Sequence, residues 1–461
     1  KSAPNRLVCR RRVRAHSENQ TLWADKLIAT LEPVDDEVEP SSDGPIDRIT
    51  VRDFLATGDV QVLMKDNARA FAERLEGDAK QEVAILTGDD VMIARQDVVI
   101  DRGQHLRIDR LAGTADWGGS GRSRMLAEPI SLSMDARIPP PRIVGAPGDP
   151  RVTMRTLWTE SLHYDTNFGG GAGAMDIIGD VDIVVDRSEV QRSSLQGTTV
   201  RLEFATLSTD ATPPPPGDDP FQSGGRVLHK LIAKGNAKLE TRTWQTATRT
   251  VLPRVFYVGA QHITWDDLKT EAEIIGDGDI VIREPEWATQ TASSGSDGGP
   301  FSGPGTSRFV WSERLDLTHE ADDRFRMTML GDVEGLWKSA IDKRDIATIT
   351  AQEVHVLTRR GETTAEPSSD APLQLGADME VDRLRAVGRV YLTTPTRKAD
   401  CHMLDYNTRT KIAELVARAG RTVSLITQGS PMPVQATRMI WNMDPDVDTI
   451  TLEQPRGSGA R

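Results

Sequence analysis

Apolar and polar residues alternate along most of this chain, and the alternation restarts after a glycine. Residues 56–62 read ATGDVQV, 177–185 IIGDVDIVV, 274–282 IIGDGDIVI, 329–336 MLGDVEGL and 385–393 RAVGRVYLT. In the first copy Val60, Val62 and Met64 share one parity, against Asp59, Gln61 and Leu63. In the second, Val181, Ile183 and Val185 stand against Asp180, Asp182 and Val184. Ile280 with Ile282, and Val390 with Leu392, keep the parity later, and Ile85, Val91 and Ile93 are assigned to the same inward set. Period two with β-branched residues on one side predicts half-buried strands. The Gly-Asp or Gly-Arg step predicts a kink or turn that residues with a Cβ resist. A slip of one residue would put aspartates inside, so the register is expected to be firm.

A second element accompanies the first: LWADKLIATLE (22–32), ARAFAERLEGD (68–78), RTLWTESLHYD (155–165), ITWDDLKTEAE (263–273) and FVWSERLDL (309–317). Each reads as a strand heading into a turn, so the pair is a hairpin-like unit copied along the chain. Units repeated at such spacing bury their apolar faces by stacking. Residues 410–423, TKIAELVARAGRTV, read better as two strands around Gly420 than as a helix. The expected class is all-β.

Proline- and glycine-rich stretches at 138–150, 209–225, 288–305 and 359–372 predict extended or flexible excursions with little packed structure. Three blocks are expected: 1–125, 126–290 with the proline-rich insertions, and 291–461. ADWGGSGR (115–122) and QPRGSGAR (454–461) look like the same punctuation closing two of them.

The chain has 461 residues, 38% hydrophobic and 5% aromatic, with a net charge of -13. Mean hydropathy is -0.41 and no apolar run is long enough to span a bilayer as a helix. An acidic chain repels phosphate backbones, so nucleic acid is not an expected partner. Cys9 and Cys401 form neither a disulfide framework nor a zinc cluster. The chain starts at Lys1 with no apolar stretch in residues 1–30, as after removal of a signal peptide or anchor. The basic string CRRRVR (9–14) reads as a flank of such an anchor or as a solvated edge strand.

Strands of the form A-x-x-L-x-Y-D (Leu162, Tyr164, Asp165; Leu404, Asp405, Tyr406) alternate with G-x-V-x-V strands (Gly58, Val60, Val62; Gly179, Val181, Ile183). In this the chain resembles the OstA-like family of periplasmic lipopolysaccharide-transport proteins, which includes LptA, LptC and the N-terminal part of LptD. The resemblance covers most of the chain outside the four insertions, and its specificity lies in the recurrence in order. It implies tandem β-jellyroll modules in an open, twisted antiparallel stack, whose apolar inner face holds acyl chains in the periplasm. The groove would then be lined by Val60, Val62, Met64, Ile85, Val91, Ile93, Val181, Ile183, Val185, Ile280, Ile282, Val390 and Leu392. Implied partners are lipopolysaccharide or another lipid, neighbouring jellyroll proteins joined by β-strand augmentation, and a separate ATPase if transport is driven. An inner-membrane anchor would lie on a segment outside this chain. The alternative is a structural or adhesive β-repeat protein whose apolar face is only core.

Catalytic signatures are lacking. No glycine is followed by lysine, so there is no Walker A loop. His319-Glu320 lacks the second histidine of H-E-x-x-H, and neither GGSGR nor GSPMP completes G-x-S-x-G. GDGD (276–279) lacks the remaining ligands of a calcium loop. No enzyme activity, cofactor or metal is expected. Trp23, Trp158, Trp265, Trp311 and Trp441 sit at similar places in their repeats and are expected to plug the sheet surface near turns.

Overall fold

The structure is a computed structural model. It describes residues 5–17, 20–33, 49–64, 67–95, 97–127, 137–140, 152–206, 226–289, 301, 304–320, 324–342, 344–360, 379–430, 432–444 and 447–455. Among them, twenty-five strands belong to one antiparallel sheet, and almost every strand pairs with its neighbours in sequence. The expected insertions at 209–225, most of 288–305 and most of 359–372 lie outside the described residues.

The chain divides into two compact units, Lys1–Val185 with Thr198–Leu228, and Asp186–Gly197 with His229–Arg461. The first opens with β1 (Asn5–His16), β2 (Gln20–Pro33), β3 (Ile49–Met64), β4 (Arg69–Asp78), β5 (Val83–Ala94) and β6 (Val98–Asp109). Each is hydrogen-bonded to the one before. Two places in the ladder are then filled by pairs of short strands. β7 (Thr114–Gly118) and β8 (Gly121–Leu126) share one edge of β6. β9 (Val152–Trp158) lies on β8 and β10 (Ser161–Asp165) on β7. β11 (Ala174–Ser188) closes on both.

β11 and β12 (Gln191–Thr206) contribute to both units. The second continues with β13 (Arg226–Thr243), β14 (Arg254–Asp266) and β15 (Glu271–Glu284). β16 (Gly305–Trp311) and β17 (Arg314–Glu320) lie side by side between β15 and β18 (Arg324–Ser339). β19 (Ile346–Arg360), β20 (Met379–Thr393) and β21 (Arg397–Asn407) follow in order. β22 (Ile412–Val416) and β23 (Val423–Thr427) share the next place, on either side of Gly420, as expected. β24 (Val434–Asn442) and β25 (Ile450–Pro455) end the ladder. Among the described residues no helix is long and apolar enough to cross a membrane.

The glycine step is a bulge that divides each long strand into two arms. Gly58 and Asp59 have φ of 79° and 41°, Gly179 and Asp180 of 88° and 39°, and Gly388 and Arg389 of 79° and 49°. Two successive left-handed residues bend the strand, and the ladder skips them. At Gly179 only glycine fits: a Cβ there would lie 2.5 Å from Thr159 Oγ1. The residues flanking the step, Ala56 and Val60, Ile177 and Val181, Ala386 and Val390, are all buried. The kink thus preserves the inward parity of both arms.

Ladder pairing runs through both expected block edges, with Met125 opposite Met154 and Ile280 opposite Phe309. Gly119 to Gly121 link β7 to β8 along one edge of β6 instead of closing a block. A loop leaving an edge does not interrupt a meander whose next strand returns to the same edge.

Candidate functional site

Two rows of side chains, one per arm, make the interior of each unit. In the first unit one row runs across the ladder from Leu27 through Ala56, Leu75, Leu86 and Leu106 to Trp117. The other runs from Leu22 through Val62, Ala70, Ile93 and Ile100, then Ser123 and Thr156, to Ile183. The second unit is more uniform. One row passes from Ala233 and Ile263 through Leu315, Met329 and Val354 to Leu404, Leu415 and Met439. Its companion starts at Leu239, Val258, Ile280 and Phe309 and passes Gly335 to reach Ile349 and Leu392.

The inner faces of the arms meet. In the second unit Leu239, Val258 and Ile280 from one arm line a cavity with Ile263, Ile274 and Leu315 from the other. In the first, Trp117 and Trp158 touch edge to face, 6.2 Å between centroids, from opposite arms. Gly103, on the arm that carries Val91, leaves the space Trp117 occupies, since a Cβ there would lie 2.3 Å from the indole.

Of the sequence-predicted residues, Val60, Val62, Val91, Ile93, Val181, Ile183, Ile280, Val390 and Leu392 are buried in these rows. Met64, Val185 and Ile282 keep the inward parity but are half-buried toward strand ends. Ile85 is a correction: it lies opposite Glu76 and Arg107 on the outer face, while Leu86 takes the inward place. The physical reason is the irregularity between Thr87 and Val91, where four residues instead of three lie between the inward positions 86 and 91. The cavity of the second unit measures about 10 Å³. That is no more than one water needs. At this place in the second unit the side chains fill the space between the arms.

Trp158, Trp265, Trp311 and Trp441 are buried with inward parity rather than on the sheet surface. Trp23 is the exception. It lies opposite Gln61 on the outer face, with the Arg14 and Arg69 guanidiniums 5.8 and 5.0 Å from its ring.

Sequence reasoning missed a second packed surface, the outer face of β3 to β6 beyond the bulges. Phe71, Met92, Ala94 and Val99 form an apolar cluster there, and Ile138 packs against it. Gln61 Nε2 donates to the Ile138 carbonyl (2.6 Å), and the Ile138 N–H donates back to Gln61 Oε1 (3.1 Å). Arg137 ties the same segment to Asp25 (3.3 Å) and to the Asp59 carbonyl (2.6 Å). Residues 137–140 thus strap this face, although little packed structure is expected over the stretch 138–150. The signal was present in RAFA (69–72) and VMIA (91–94), where apolar residues do not alternate.

Charges are buried nearby. Asp101 accepts two bonds from Arg122 (2.9 and 2.8 Å) and another from Arg124 Nη2. Arg124 is 2% exposed and Arg69 0%. Burial pulls both guanidiniums below their ordinary pKa, and the Asp101 carboxylate opposes the shift at Arg124.

No protein-family model and no curated protein matches the chain.

Among the described residues no three His, Cys, Asp or Glu side chains gather in a way that could hold a metal ion. Burial pushes the Cys401 thiol up to about 12, far from the nucleophilic thiolate. What the interior offers is a long apolar surface divided between two facing arms.

Proposed function

We propose that this chain is a non-enzymatic carrier for lipopolysaccharide or another lipid, holding acyl chains between the inner faces of an open β-jellyroll. The observation that carries the reading is the inward row of the second unit, which passes from Ala233 to Met439 without a charged side chain. Each methylene moved from water into such a surface contributes about 0.8 kcal/mol. Because the arms are closed on their own side chains, loading requires them to part, and the acyl chain then takes the place each arm had filled for the other. Successive aliphatic rungs are alike, so a chain held there can slide.

The setting that fits is the periplasm, in a bridge between inner and outer membranes powered by a separate ATPase. β1 and β25 each pair with one strand among the described residues, which leaves an edge for a neighbouring jellyroll protein to extend the sheet. The filled cavity favours a second reading, a structural β-repeat protein whose apolar face is only core. A photoactivatable side chain at Ile183 or Ile280, compared with one at the exposed Ile178, separates the two. The carrier reading expects lipopolysaccharide to crosslink at the inward positions at least tenfold more than at Ile178. Equal labelling in a folded protein leaves only the core.

A further inference from the structure

Along most of the sheet, arginines are matched by carboxylates on adjacent strands. Arg155 meets Asp182, Arg254 meets Glu284, and Arg383 grips Asp405. β1 breaks this pattern. It carries Arg6, Arg10, Arg11, Arg12 and Arg14 and no acid, and all five are exposed. Arg14 is stacked on Trp23, but among the described residues none of the other four meets a carboxylate. The acids of neighbouring β2 are already engaged, Asp25 by Arg137 and Glu32 by Arg52 and Lys80. Lys26, opposite Arg10, adds to the same sign. Among the described residues, a chain of net charge -13 therefore concentrates positive charge without acidic partners on one edge strand.

The strand is also two-sided. Arg6, Arg10 and Arg14 lie opposite Thr30, Lys26 and Trp23 and share the outer face, while Leu7, Cys9 and Val13 take inward positions. Arg11 and Arg12 occupy the bulge, with φ of 70° and 51°, where other strands place Gly-Asp or Gly-Arg. Holding a side-chain-bearing residue in the left-handed region twice in succession is unfavourable, and such positions cluster where function requires them.

We propose that β1 docks this chain on an anionic membrane surface, its arginines pairing with lipid phosphates. Arg6 and Arg14 stand eight residues apart on either side of the bulge, a separation of at most about 26 Å. Guanidiniums spread over that length cannot converge on one phosphate but match a plane of many. Guanidinium suits phosphate through paired N–H donors. Leu7 and Val8, 47% and 44% exposed, add apolar side chains to the same end. The arginines leave the backbone edge free for strand pairing. Docking does not rest on the acyl-chain reading, since it needs no opening of the arms.

The test is flotation of the full chain with vesicles containing a third phosphatidylglycerol, against pure phosphatidylcholine. Binding is expected only with the anionic vesicles, and is lost as salt rises toward about 0.5 M, where screening is strong. Each arginine near such a surface is worth about 1 kcal/mol, or about fivefold, so Arg10→Gln/Arg11→Gln/Arg12→Gln weakens binding about 100-fold. Arg383→Gln, which removes one charge from the Asp405 pair, is expected to change binding less than twofold. Arg11→Gly/Arg12→Asp installs the bulge sequence used elsewhere, so a folded protein lacking both charges is secured. Equal binding to neutral vesicles, no binding to anionic ones, or full binding by either set of β1 variants overturns the proposal. So does tighter capture of a single-stranded oligonucleotide than of vesicles.

Discussion

β18 to β21 of the second unit and the far arms of β3 to β6 in the first are built from similar repeats but packed differently. In β18 and β21 buried and open positions alternate almost without a break. In the first unit Val60 to Leu63, Arg69 to Ala72 and Val91 to Ala94 are buried on both faces. The strap at Ile138 covers part of the outer side, and Arg69, Asp101 and Arg124 are sealed into it. A two-faced strand segment keeps its ions on internal partners, Asp101 for Arg124 and Gln61 with the Trp23 ring for Arg69, whereas a one-faced sheet leaves its ion pairs in water. The same repeat therefore supports a dry electrostatic network in one place and a weakly coupled surface ladder in the other.

Deleting one acid in each region gives the largest contrast. Asp101→Ala leaves Arg122 and the buried Arg124 without their carboxylate, and is expected to cost about 3–5 kcal/mol of unfolding free energy. Asp405→Ala removes the partner of Arg383, whose side chain is half exposed, and is expected to cost under about 1 kcal/mol. Urea unfolding monitored by circular dichroism measures both. Equal losses would show that the first unit's network is no drier than the surface ladder.

A smaller effect isolates the strap. Ile138→Asp places a charge against Phe71, Met92 and Val99 and is expected to cost about 1–2 kcal/mol, part of the value of a fully buried isoleucine. Amide exchange should quicken over 60–63, 69–72 and 91–94 and stay unchanged in β18 to β21. Unchanged exchange in β3 to β5 would mean that residues 137–140 rest on the sheet without supporting it.

How much of this could be read from the sequence follows from the same contrast. Where one face is open, as at Ile280 or Leu392, period two gives strand, register and inward parity directly. The Gly-Asp step announced its kink because no other residue fits Gly179. Parity failed at Ile85, where a longer irregularity shifts the inward set by one residue. The strap escaped because Gln61 and Ile138 meet across 77 residues of sequence, and no local pattern encodes such a contact. The buried Arg69 and Arg124 escaped for a related reason. An arginine's place in a core is set by its partners, and those lie on other strands. Closure of the arms was equally hidden, because a row of valines and isoleucines looks the same whether it faces a lipid or another sheet.

The smallest effect probes how dry the one-faced region is. His262 of β14 stands opposite Lys234, with its Nε2 3.1 Å from Thr264 Oγ1. Burial lowers the imidazole pKa, Lys234 lowers it further, and Glu273 pulls the other way. Unfolded, the ring titrates near ~6.5. Between that value and the lower folded one the unfolded chain binds more protons, so stability falls as pH falls through this window and is fully present above it. His262→Gln keeps a hydrogen-bonding partner for Thr264 and removes the titration. The variant is expected to lose less stability than the parent between pH 7 and pH 5.5, a range in which carboxylates of ordinary pKa remain ionised. Parallel slopes for the two proteins would mean that His262 is as well hydrated in the fold as in the open chain, and that the outer face of the second unit is wet even where its side chains are half-buried.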